Sequence, residues 1–124
     1  MLATRLFEHS SDAKPVAAGT TIFSAGDERD FMYAVLEGQV DIIVNGRVVE
    51  TVESGGIFGE MALIGKDKRT ATAIARSDAK LVAVDERRFL FLVQQTPNFA
   101  LHVMRVLSDR LRRMDEQFVR VTRG

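Results

Sequence analysis

The sequence predicts a mainly β fold, an antiparallel barrel or jelly roll, followed by a pair of C-terminal helices. Three observations point there. Short β-branched and aromatic runs recur between residues 16 and 84, separated by glycine turns. Asn45-Gly46 stands between two of these runs. It is a strong short-range hairpin signal, because a type I′ turn needs positive φ at both central residues. Beyond Val84 the apolar spacing becomes helical. Strands do not alternate with long helices, which argues against a doubly wound α/β sheet.

The elements follow in order. Thr20-Thr21-Ile22-Phe23 is a β-branched and aromatic run, broken by Ala25-Gly26-Asp27. Met32 to Leu36 is the next, ending at Glu37-Gly38, and Val40 to Val44 and Arg47 to Val52 flank the Asn-Gly turn. Ser54-Gly55-Gly56 turns the chain again, and Thr70 to Ala75 and Lys80 to Val84 are the last strands. Asp85 can cap a helix through Phe89, Leu90, Leu92 and Val93. Thr96-Pro97 interrupts it, since a residue before proline avoids helical geometry. Pro97 then suits the first turn of a second helix.

That helix carries a seam at Ala100, Met104, Leu107, Leu111, Met114, Phe118 and Val121, in steps of four and three. This is an a/d heptad pattern. Phe99, Val103 and Val106 form a second strip beside it. One strip is expected to face the barrel and the other a partner chain, giving a homodimer; the alternative is that both pack on the chain's own barrel.

Length and charge set the outer bounds. A chain of 124 residues suits one domain, since domains run roughly 100–200 residues. Seventeen basic residues balance seventeen acidic ones, so bulk charge gives no sign of a nucleic-acid or membrane-surface protein. Cysteine is absent, which excludes disulfides, thiolate metal sites and cysteine nucleophiles. Neither a signal-peptide h-region nor an apolar run of the ~20 residues that span a bilayer is present. The expectation is a cytoplasmic protein. His9 and His102 are the only histidines. A metal-binding jelly roll would need a histidine cluster with a carboxylate, and no Ser-His-Asp arrangement suggests itself, so no metal, no cofactor and no enzymatic activity are expected. His102 is expected to face solvent. Arg110-Leu111-Arg112-Arg113 reads as a solvated face.

The chemistry lies in residues 55–73, Gly55-Gly56-Ile57-Phe58-Gly59-Glu60-Met61-Ala62-Leu63-Ile64-Gly65-Lys66-Asp67-Lys68-Arg69-Thr70-Ala71-Thr72-Ala73. Glycines end a strand and let the backbone approach a ligand closely. A short helical turn expected at Gly59 to Ala62 would aim its N–H groups at an anion. Glu60 can accept hydrogen bonds from sugar hydroxyls. Nine residues on, Arg69 supplies a planar five-donor guanidinium matched to phosphate, with the Thr70 hydroxyl beside it. These groups together describe a nucleotide pocket; a structural Glu60–Arg69 ion pair is the competing account.

Phe58-Gly59-Glu60-Met61-Ala62-Leu63-Ile64 with Arg69-Thr70-Ala71-Thr72 resembles the phosphate-binding cassette of cyclic nucleotide-binding domains. The pattern of Gly19, Gly26-Asp27, Met32 to Gly38 and Val40 is similar to that family as well. The resemblance implies a jelly-roll β-barrel (a double-stranded β-helix) over 1–84, with the cassette at 55–73 and helices over 85–124, in a single domain. It implies cAMP or cGMP as ligand. Glu60 would accept the ribose 2′-hydroxyl and Arg69 would bind the exocyclic phosphate oxygens. Backbone N–H groups near Gly59, Met61 and Ala62 would complete the cradle, with Thr70 or Ala71 contributing. Phe58, Ile42 and Val49 would line the pocket. A regulatory role is implied, with the helices repositioning on binding. The helix-turn-helix that follows the long helix in the transcription-factor branch is not expected in these residues. The runner-up is an interaction or dimerisation module of the same fold that binds no cyclic nucleotide.

Overall fold

A computed structural model describes residues 13–28, 30–60 and 68–123, the last ten (114–123) as backbone only. The β-rich part forms two four-stranded sheets. One has the order β1 (Lys14–Val16), β8 (Ala79–Val84), β3 (Met32–Glu37), β6 (Ile57–Phe58). The other runs β2 (Thr21–Phe23), β7 (Thr72–Ala75), β4 (Val40–Val44), β5 (Arg47–Val52). Every pairing is antiparallel.

The core draws on both sheets. Val35, Phe58, Ala79 and Leu81 come from the first, and Phe23, Val40, Val52 and Ala73 from the second. This is jelly-roll architecture. The expected barrel is not closed: among the described residues no ladder joins the two sheets. Three of the four edge strands, β1, β2 and β6, are only two or three residues long, too short to carry pairing around the corner.

Most strand boundaries lie where the turn chemistry places them. Asn45 (φ 52°) and Gly46 (φ 77°) both adopt the left-handed conformation that the tight hairpin requires. The strand expected from Thr70 begins instead at Thr72, because Thr70 and Ala71 lie in a bend. Two elements were not anticipated. β1 contains Pro15 and spans three residues, so it offers no alternation to read; proline is tolerated there because β1 is an edge strand. β6 is two buried residues, Ile57 and Phe58, paired with Ala34 and Tyr33.

Helix α1 spans Glu86–Gln95 and α2 spans Asn98–Arg123. Asp85 caps α1 as expected: its Oδ1 accepts the Arg88 amide at 2.8 Å. The Thr96-Pro97 break is real, and the Phe99 amide donates to the Thr96 carbonyl at 2.9 Å. The chain clusters into two compact units that divide after Leu90. In the second unit the two apolar strips of α2 differ. Phe99 and Val103 are buried, whereas Met104 (59%) and Leu111 (62%) are exposed and Leu107 is half-buried. Met114, Phe118 and Val121 of the seam lie outside the described side chains. His102 does not face solvent as expected. It is half-buried, and its enclosed Nε2 makes no hydrogen bond among the described residues. Burial lowers its pKa below 6.5, and Arg105 pushes it the same way. Helical spacing put His102 beside the seam but could not show how much of it would be enclosed.

Candidate functional site

The site begins where β6 ends. The Gly55 amide donates to the Val35 carbonyl (2.8 Å) and the Val35 amide to the Gly56 carbonyl (2.9 Å), fixing the start of the cassette on β3. Phe58 is buried and stacks on Tyr33, with ring centroids 5.2 Å apart and 17° between planes. Phe23 joins the group at 6.0 Å from Phe58 and 6.1 Å from Tyr33. Burial raises the Tyr33 phenol pKa, against the lowering pull of Arg69 and with a further upward push from Asp30.

Gly59 then takes φ +74°, a conformation that costs an L side chain roughly 1–2 kcal/mol. Space as well as φ demands glycine here. A Cβ would stand 2.8 Å from Arg69 NH1 and 3.4 Å from the Phe23 ring. Glu60 follows directly and is buried, 6% exposed.

Arg69 is held at both ends. Its amide donates to the Asp27 carbonyl at 2.8 Å, and its carbonyl accepts the Gly26 amide at 2.7 Å. That turn is itself braced: the Asp27 Oδ2 accepts the Ser24 amide at 2.8 Å, and the Thr72 hydroxyl accepts the Ala25 amide at 3.0 Å. At the other end, NH2 donates to the Phe31 carbonyl (2.5 Å) and NH1 to the Gly59 carbonyl (3.2 Å). The guanidinium carbon sits 3.8 Å from the centroid of the Phe23 ring. Arg69 is 7% exposed, and it and Glu60 are the only buried charged residues among those described. Charged side chains are almost never buried without partners, because desolvating them costs several kcal/mol each. Two buried charges, one following Gly59 and one bonded to it, set this place apart among the described residues.

The structure therefore brings Gly59 and Arg69 together and keeps Glu60 next to them along the chain. Thr70 is exposed and Ala71 half-buried, beside Arg69. Phe58 belongs to the core cluster, Ile42 packs against that cluster, and Val49 is 45% exposed. Met61 and Ala62 lie outside the described residues, as does most of the short helical turn expected there. Phe23, the Phe31 carbonyl and the Gly26-Asp27 turn were missed as parts of the site. They lie 38–46 residues before Arg69, and the only signal was a glycine turn that reads as structural. A separate cavity of about 210 Å³, with Val16, Thr20, Ile22, Tyr33 and Leu81 among its lining residues, contains no cassette residue. No group of three or more His, Asp or Glu side chains among the described residues could hold a metal ion.

A family model described as the cyclic nucleotide-binding domain matches residues 13–96. The chain belongs to this family. A cAMP-dependent protein kinase regulatory subunit of Eremothecium gossypii is 40% identical over 81 residues, covering 65% of this chain and 18% of the subunit. The catabolite activator protein of Thermus thermophilus superposes with a TM-score of 0.76 at 28% identity, over 98% of this chain and 57% of that protein. CLP of Xanthomonas campestris, described as a c-di-GMP-responsive global regulator, gives a TM-score of 0.83 at 26% identity, over 98% and 65%. The chain thus spans about a fifth of the kinase subunit and less than two-thirds of either regulator. Among the described residues no helix is long and apolar enough to cross a membrane.

Proposed function

We propose that residues 1–124 form one regulatory cyclic nucleotide-binding domain whose cassette at 55–73 binds cAMP or cGMP. The observation that carries this reading is the pair of buried charges, Glu60 and Arg69, gathered at Gly59. Arg69 and the backbone amides of Gly59, Met61 and Ala62 take the phosphate, with Thr70 and Ala71 beside it. Glu60 takes the ribose 2′-hydroxyl, and Phe58, Ile42 and Val49 shape the wall. The kinase regulatory subunit to which the chain is similar is named for cAMP and for regulation, which supports that ligand and a regulatory role; a cytoplasmic, non-catalytic domain completes the proposal.

Binding stabilises one arrangement of the C-terminal helices by its differential affinity for it, and those helices signal to a partner. The exposed Met104 and Leu111 on the α2 seam favour a second copy of this chain as that partner. Sedimentation at high micromolar concentration checks this; a monomer would assign the seam to another role.

Thermal unfolding with millimolar cAMP and cGMP tests the nucleotide reading. A ligand specific to the folded state adds about 2.7 kcal/mol at a hundredfold excess over Kd. A shift with one nucleotide establishes the ligand and the base preference together. No shift with either, in folded protein free of co-purified nucleotide, leaves an interaction module of the same fold.

A further inference from the structure

We infer that Phe23 is a positioning residue for the cassette arginine: its ring holds the Arg69 guanidinium flat in the orientation in which it receives a phosphate. This rests on the reading of the cassette as a nucleotide-phosphate site. The geometry is that of a slot. The guanidinium carbon lies over the Phe23 ring, 3.8 Å from its centroid, the NH1 and NH2 groups meet the Gly59 and Phe31 carbonyls, and the bare α-carbon of Gly59 leaves the room that a methyl group would fill. Phe23 is itself immobilised, 9% exposed and packed against Tyr33 and Phe58.

Phe23 is also the last residue of β2, and the turn that follows it bonds the Arg69 main chain through Gly26 and Asp27. One short segment, residues 23–27, therefore grips the arginine at its root and at its head. Arginine stacks well because its guanidinium is planar, delocalised and weakly hydrated, and the negative face of an aromatic ring attracts it. A flexible side chain that is already oriented loses less freedom when ligand arrives, so the ring raises affinity without touching the ligand. An aliphatic residue could fill this space but could not supply the charged contact.

Calorimetric titration of the full chain with cAMP and with cGMP tests the inference. Phe23→Leu should weaken the Kd of the nucleotide that binds by roughly three- to thirtyfold, the range a cation–π contact supplies. Phe23→Tyr should restore the parent affinity. In an Arg69→Ala background, Phe23→Leu should change nothing further. An unchanged Kd, or an equal loss with and without Arg69, overturns the role of Phe23 and leaves the nucleotide reading standing. A parent chain that binds neither nucleotide overturns that reading, and this inference with it. Folding can be followed by the fluorescence of Tyr33, the single tyrosine in a chain without tryptophan. Should Phe23→Leu fail to fold, 3,4,5-trifluorophenylalanine at position 23 decides the matter. It keeps the ring's shape and drains its face of negative charge; a Kd weaker by severalfold supports the inference, and an unchanged one overturns it.

Discussion

Arg69 and Arg76 lie seven residues apart on either side of β7, and their surroundings are opposite. Arg69 is 7% exposed, bonded to two main-chain carbonyls and stacked on an aromatic ring. The Arg76 side chain is 57% exposed. It stands 3.6 Å from the Asp41 carboxylate and 3.3 Å from the Thr51 hydroxyl, which in turn donates to Asp41 at 2.7 Å. Each makes at least two polar contacts through its guanidinium. They differ in solvent. Water screens Arg76 and competes for each of its donors, so its ion pair is worth at most about 1 kcal/mol. Arg69 has left most of the water behind, and every group around it acts at low dielectric. A buried cation prepared in this way is suited to a buried anion, whereas Arg76 only decorates a sheet.

Three substitutions, from the largest expected effect to the smallest, test that contrast. Arg69→Ala removes a charge-assisted contact worth roughly 1.5–3 kcal/mol, so calorimetry should show nucleotide affinity falling more than tenfold. A smaller change would place Arg69 with Arg76 as a structural group. Gly59→Ala attacks the slot rather than the charge. The φ of +74° and a Cβ 2.8 Å from NH1 should together lower unfolding stability by about 1–2 kcal/mol in denaturant titration. Affinity should fall with it, because the methyl group displaces the guanidinium. A neutral outcome would mean that the slot yields easily. Arg76→Ala should change stability by less than about 0.5 kcal/mol, and nucleotide affinity not at all. A loss comparable to that of Arg69→Ala would dissolve the comparison.

Much of the fold could be read directly. Asn45-Gly46 specifies its hairpin because few residues other than asparagine and glycine accept positive φ in succession. β4 and β5 fall on the residues expected, and Asp85 caps α1 because its carboxylate reaches the third amide of the first turn. β1 and β6 could not be read, since two or three residues carry no period. The site divides in the same way. Glu60 and Arg69 were visible as a pattern within one local stretch, while Phe23, Phe31 and the Gly26-Asp27 turn were not, although they hold Arg69 by its ring, its guanidinium and its main chain.

Local sequence by itself determined which residue types meet an anion, where the chain turns and where the helices start, because turns, caps and glycine conformations depend on near neighbours. Only the tertiary structure decided that Arg69 is buried, which ring it lies on and that, among the described residues, no ladder joins the two sheets. Those outcomes depend on strands distant along the chain arriving side by side and removing water, and no short window of residues contains that information.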